Sequence, residues 1–280
     1  MIIDFHTHIF PPQIINNRDY YGQTDHCFGT LYSNPKAKLI TAEELIASMD
    51  DCKVDISVVQ NIGWTTHELC VETNNYILES IQKYPDRLIG FCSVQPLSMG
   101  EAIEEINRCA AGGMRGVGEL RPDVQMLDIA DKDFTQPLAD ALVKNNMILL
   151  THSSEPVGHQ YAGKGTVTPH MLYSLIYNHP ELTIVCAHWG GGLPFYALMP
   201  EVEIAMENVY FDSAASPFLY KPAIYKQVSA IIGEDKILFG SDYPLMPQSR
   251  VIKEILLEDL PDITKMKILG ENARNLLRIN

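Results

Sequence analysis

Two histidines stand two residues apart near the start of the chain, in Ile2-Ile3-Asp4-Phe5-His6-Thr7-His8. Side chains alternate along a strand, so His6 and His8 point to one face from adjacent pleats. Each ring can give one nitrogen to a shared metal ion, zinc or a near neighbour. Alone, such a pair is as readily structural as ligating, and its weight comes from what accompanies it. Glu119, His152, His188 and Asp242 each sit at the carboxyl end of another segment of strand character. Taken singly, His152 and His188 read as hydrogen-bonded core histidines, Asp242 as turn chemistry and Glu119 as a buried acid paired with Arg121. Taken together with His6 and His8, they are six metal-competent side chains from five strands, and a barrel can converge them at one rim.

The elements that must position them are legible in outline. Strand character occurs at residues 2–8, 56–62, 88–94, 116–120, 147–151, 182–187, 209–212 and 237–240, with helix-like segments between most of these. Several are nearly continuous apolar runs, as parallel strands covered on both sides require. Eightfold alternation predicts a single-domain (β/α)8 TIM barrel over residues 1–280. Thr41-Ala42-Glu43-Glu44 and Ser98-Met99-Gly100-Glu101 have capping-box spacing, Pro169 follows Thr168 as a first-turn proline, and Gly112-Gly113 stops a helix. Residues 261–280 predict a closing amphipathic helix with Ile268, Leu269, Leu276 and Leu277 on its apolar side. Residues 9–40 and 153–168 read as long loops leaving strand carboxyl ends, where barrel enzymes place their sites.

Composition narrows the class further. At 280 residues and 46% hydrophobic, the chain can bury a large core. A net charge of −14 repels polyanions, so no nucleic-acid partner is expected. No stretch predicts a membrane span or a leader, and the expected location is cytoplasmic. The six cysteines lack C-x-x-C spacing and read as reduced thiols.

The motifs Asp4-Phe5-His6-Thr7-His8, Thr151-His152, Ala187-His188-Trp189-Gly190-Gly191 and Phe239-Gly240-Ser241-Asp242-Tyr243-Pro244 resemble the amidohydrolase superfamily. More narrowly they are similar to its amidohydrolase-2 branch, which includes aminocarboxymuconate-semialdehyde decarboxylase and related decarboxylases and hydrolases. The resemblance covers nearly the whole chain. It implies that His6, His8, His152 and Asp242 hold a divalent metal, zinc first, with His188 beside the reacting group and Asp242 accepting a proton from metal-bound water. Glu119 occupies the fourth-strand position where two-metal members carry a bridging carboxylate or modified lysine, so one or two ions are expected.

On this footing the leading expectation is a metal-dependent hydrolase of a small carboxylate-bearing amide, lactone or ester. The alternative is a non-oxidative decarboxylase of an unsaturated or aromatic acid; a phosphodiesterase ranks third and a non-catalytic binding barrel last. Arg121 could clamp a substrate carboxylate or pair with Glu119 or Asp123. Trp64, Tyr161 and Trp189 are the remaining substrate-facing candidates, set against ordinary rim packing. A second copy of the chain is a possible partner through an apolar outer face.

Overall fold

The computed structural model describes residues 1–279. Eight parallel strands follow one another in sequence order around one sheet: β1 (Ile3–His8), β2 (Ile56–Gln60), β3 (Leu88–Cys92), β4 (Gly116–Leu120), β5 (Ile148–Thr151), β6 (Ile184–Cys186), β7 (Val209–Asp212) and β8 (Ile237–Leu238). The ring closes between its ends, where Phe5 N–H donates to the Phe239 carbonyl at 2.7 Å and His8 N–H to the Tyr243 carbonyl at 2.8 Å. With helices between the strands, this is the (β/α)8 barrel that the alternation predicts. β6 and β8 are shorter than their apolar runs. After β6 the chain turns through four successive left-handed residues, His188, Trp189, Gly190 and Gly191, at φ between 55° and 59°.

Alternation sorts the strands into two interiors. Val58 and Leu150 belong to the cluster that fills the lumen, whereas their neighbours Val59 and Leu149 pack outward against the helices. In the lumen Phe5 meets Phe91 edge to face at 5.7 Å. Ala273 and Leu277 join this cluster from the end of the chain. The expected closing helix is thus real among the described residues, running from Asp262 to Leu277 with a π-turn at Lys267–Glu271 inside it.

Two strands depart from strict pairing. Asp4 pairs with Ser57 and Thr7 with Val59, so Phe5 and His6 together stand opposite Val58. Val117 pairs with Leu149 and Leu120 with Thr151, so Gly118 and Glu119 together stand opposite Leu150. Each is a bulge, one extra residue that re-aims a side chain. The extra residues put His6 and Glu119 at the mouth of the barrel.

Residues 9–40 are not a loop. They hold three short helices, Pro12–Asn16, Arg18–Thr24 and His26–Tyr32, each too brief to show helical periodicity in sequence. Phe10, Ile14, Tyr21, Phe28 and Trp64 form their own core over the mouth. Asp25 fastens this cap, accepting from Phe28 N–H at 2.8 Å and from Thr65 N–H and hydroxyl at 2.8 and 2.6 Å. Residues 153–168 carry no helix or strand, as expected. Thr41 and Glu44 make the predicted capping box. Ser98 makes no side-chain cap, because a 3-10 turn at Pro96–Ser98 runs straight into the helix Met99–Ala111. All six cysteines are free thiols. Among the described residues no helix is long and apolar enough to cross a membrane.

Candidate metal centre

At the carboxyl ends of the strands, ring nitrogens and carboxylate oxygens crowd one point. His6 Nε2 lies 3.1 Å from His8 Nε2, and Asp242 Oδ1 lies 3.2 Å from His8 Nε2 and 3.8 Å from His6 Nε2. Glu119 reaches both sides of the cluster. Its Oε2 is 3.9 Å from His6 Nε2, and its Oε1 is 2.8 Å from His152 Nδ1 and 3.4 Å from His188 Nε2. Two donor sets result, His6-His8-Glu119 and Glu119-His152-His188, each with its donor atoms within 4.8 Å of one another.

The outward nitrogens of these rings are mostly tied down. His6 Nδ1 meets Asp212 Oδ2 at 2.9 Å, His188 Nδ1 meets the Ala214 carbonyl at 3.0 Å and His152 Nε2 meets Ser154 Oγ at 3.1 Å. A hydrogen bond on one ring nitrogen leaves the other free to ligate and fixes the ring's orientation. Asp212 does more than orient His6, because its Oδ1 also accepts from the backbone N–H of His188 at 3.1 Å and of Ala214 at 3.0 Å. Asp4 secures the opposite side by accepting from Ser241 N–H at 2.9 Å and Gln248 Nε2 at 2.8 Å, which fastens the turn that bears Asp242.

The electrostatics suit a cation. Burial opposes ionisation of Glu119, yet His152, His188 and His6 hold its carboxyl well below the usual range. Burial likewise disfavours the charged form of His6, but Asp212, Glu119 and Asp242 raise it to about 10. Burial and the Arg121 charge lower His152 to about 4. Two buried carboxylates, Glu119 and Asp212, and the partly exposed Asp242 thus share the mouth with imidazoles that cannot all be protonated. A divalent ion balances such a set, and its nitrogen and oxygen donors fit one.

Above the donors lies a cavity of about 410 Å³, bounded by His8, Glu119, His152, His188 and Asp242 on its floor. Leu31, Ile62, Phe218, Leu219 and Leu245 give it apolar walls. Arg121 also lines it; the guanidinium touches Asp123 only at 3.5 Å and makes no contact to Glu119 within salt-bridge range. Gly63 makes room for this arginine, since a Cβ there would come 2.5 Å from Arg121 Cβ. Tyr161 lines the cavity too, its hydroxyl donating to Glu155 Oε2 at 3.3 Å.

Two expected substrate contacts are absent. Trp64 is fully buried in the core of the cap, stacked on Phe28 at 5.4 Å, and does not reach the cavity. Trp189 is folded under the left-handed turn, its indole N–H donating to Ser216 Oγ at 3.0 Å and its ring edge-on to Tyr225. Asp212 was not among the sequence candidates. It ends β7 as His8 ends β1, so the carboxyl-end rule applied to every strand would have found it.

Residues 3–279 match the Amidohydro_2 family, described as Amidohydrolase. The chain belongs to this family. Among its relatives is the 2-amino-3-carboxymuconate-6-semialdehyde decarboxylase of Dictyostelium discoideum, 23% identical over 99% of this chain and 92% of that protein. The gamma-resorcylate decarboxylase of Rhizobium sp. (strain MTP-10005) is 20% identical over 76% of this chain and 77% of that protein. The 5-carboxyvanillate decarboxylase of Novosphingobium aromaticivorans DSM 12444, complexed with manganese and a nitrobenzoic acid, shares the fold at a TM-score of 0.82 and 21% identity, covering 100% and 96% of the two chains. These relatives correct the expectation of carbonyl hydrolysis, because they are decarboxylases. The donor pattern could not separate the two chemistries, since either reaction can use the same ion and the same ligands.

Proposed function

We propose that this amidohydrolase-family protein is a metal-dependent, non-oxidative decarboxylase of a small unsaturated or aromatic acid. The observation that carries the reading is one cavity in which metal donors form the floor, Arg121 stands on the wall and apolar side chains supply the rest. Relatives that match 99% and 76% of the chain and break a carbon–carboxylate bond support it. In such a reaction the bond to the carboxylate carbon breaks, its electron pair stays on the substrate carbon, carbon dioxide leaves and a proton arrives at that carbon.

His6, His8, Asp242 and Glu119 are proposed to hold an ion, with Glu119 shared toward a second donor set completed by His152 and His188. When bound, the ion would supply a positive charge that draws substrate oxygens and stabilises developing negative charge. Zinc suits the nitrogen-rich set, and manganese is the ion in a structural neighbour. The side chains do the rest. Arg121 offers its guanidinium to an anionic group of the substrate, and its long contacts to Asp123 leave donors for that purpose. Asp242 and His188 face the cavity, and they are the groups proposed to pass the proton to carbon. The apolar walls exclude water and favour a flat hydrocarbon body. The exposed side chains of Tyr196, Leu198, Met199 and Ile204 support pairing with a second copy, which light scattering tests.

The deciding experiment incubates zinc- or manganese-loaded protein with a panel of hydroxybenzoic and unsaturated dicarboxylic acids. Carbon dioxide released in step with product supports the proposal. Metal-loaded protein that releases none from any acid, yet cleaves an ester or amide, overturns it.

A further inference from the structure

Of the four histidines at the mouth, His8 alone has no protein partner for its outward nitrogen: Nδ1 is buried and unpaired. A ring that ligates through Nε2 carries its proton on Nδ1, and that N–H needs an acceptor. Directly beside it in the sheet stands Gln60, the Cα partner of His8 in the pairing of β1 with β2. Register partners on neighbouring strands present their side chains to the same face, about 5 Å apart. Gln60 is fully buried, and both its Oε1 and its Nε2 are unpaired.

A primary amide in that condition is costly. Leaving a buried donor or acceptor unmatched opposes folding, and an apolar residue of similar shape would avoid that cost. The barrel also makes space for this amide. Gly118 faces Gln60 across the lumen, and a Cβ there would come within 3.3 Å of Gln60 Oε1 and 2.8 Å of Leu150 Cβ. The amide therefore lies in the layer immediately under the donors, between the two bulged strands that carry His6 and Glu119.

We infer that Gln60 is the positioning residue for His8, accepting the Nδ1 proton through a buried water that also takes the amide N–H. A buried water requires two to four polar partners, and His8 Nδ1 with the two amide atoms of Gln60 provides three. Each of the four rings then has its outer nitrogen fixed. The inference rests on the metal-centre reading given above.

Gln60→Leu and Gln60→Glu separate this role from simple packing. For Gln60→Leu, Zn²⁺ affinity measured against a chromophoric chelator falls about 10- to 100-fold, the size of effect that outer partners of metal-binding histidines have. The metal-free protein keeps its fold, because leucine fills the space of the amide and brings no polar group into the lumen. Gln60→Glu restores an acceptor and recovers affinity to within about threefold of the wild type or better. In ¹⁵N spectra of Zn²⁺-loaded protein, the His8 Nδ1–H resonance is protected from exchange in the wild type and loses that protection in Gln60→Leu. Unchanged affinity and an unchanged His8 signal in Gln60→Leu overturn the inference and leave the metal-centre reading intact. Should Gln60→Leu not fold, a Gln60→Glu protein whose His8 signal and affinity match the wild type supports the inference, and one that has lost both overturns it. Wild-type protein that takes up no Zn²⁺ overturns both.

Discussion

Phe5 and His6 are neighbours on β1, both fully buried, and they serve different interiors. Phe5 joins Val58, Phe91, Leu150 and Leu277 in the plugged lumen, where burial of apolar surface stabilises the barrel. His6 joins Glu119, Asp212 and Asp242 at the mouth, where burial of charge opposes folding. One extra residue in β1 lets adjacent side chains face both regions, and the matching bulge in β4 does the same for Gly118 and Glu119. The lumen is built for stability. The mouth is a cost that the rest of the barrel sustains, and a bound cation offsets it.

The contrast can be broken most sharply at Asp242, whose side chain is 13% exposed and faces the cavity. Asp242→Asn removes a charge from the crowded mouth without changing its shape. The expected outcome is a fall in kcat of about 10²- to 10⁴-fold, with a melting temperature of the metal-free protein unchanged or raised. Steady-state kinetics and calorimetry on the same preparation check this, and retained turnover would remove Asp242 from the chemistry. The opposite region should respond in the opposite way. Phe91→Ala empties the lumen beside Phe5, and denaturant titration should show a loss of about 3–5 kcal/mol, while metal bound per folded chain stays as it was.

Asp212→Asn tests how far the mouth depends on its outer contacts. This carboxylate alone holds His6 Nδ1, the backbone N–H of His188 after β6 and that of Ala214 after β7. Metal affinity should fall about 10- to 100-fold, read by competition with a chelator. The amide can still accept through its oxygen, so the loss should stay below that of Asp212→Ala.

Much of this arrangement was legible beforehand, for a definite reason. Strand runs such as Ile56 to Gln60 announce themselves by apolar content, and donors at strand ends converge because a closed barrel has only one upper rim. The illegible parts are those where alternation fails or where elements are short. From Val117 outward, strict alternation puts Glu119 on the helix face, and only the bulge turns it inward. The cap helices of five to seven residues have no periodicity to read. Trp189 follows a ligand-like histidine and so resembles a substrate contact, but the left-handed turn that it shares with His188 folds its ring onto Ser216 and Tyr225. The reaction was least legible of all, because a donor set says what can be bound and not which substrate bond breaks.

The smallest effect should come from Trp64, and it sharpens the boundary between the cap and the site. Its indole stacks on Phe28 with the ring planes 11° apart and contacts Phe10 and Tyr21, all within the cap's own core. The indole N–H is buried without a partner, so Trp64→Phe forfeits no hydrogen bond and leaves only a modest void. Stability should fall by about 1–2 kcal/mol, while kcat and KM stay within about twofold of the wild type. A rise in KM at unchanged kcat would mean that the cap core transmits its packing to the cavity wall, through Ile62, which belongs to the one and lines the other. Trp64 is buried beside the site, and burial beside a site is a packing role until substrate affinity shows otherwise.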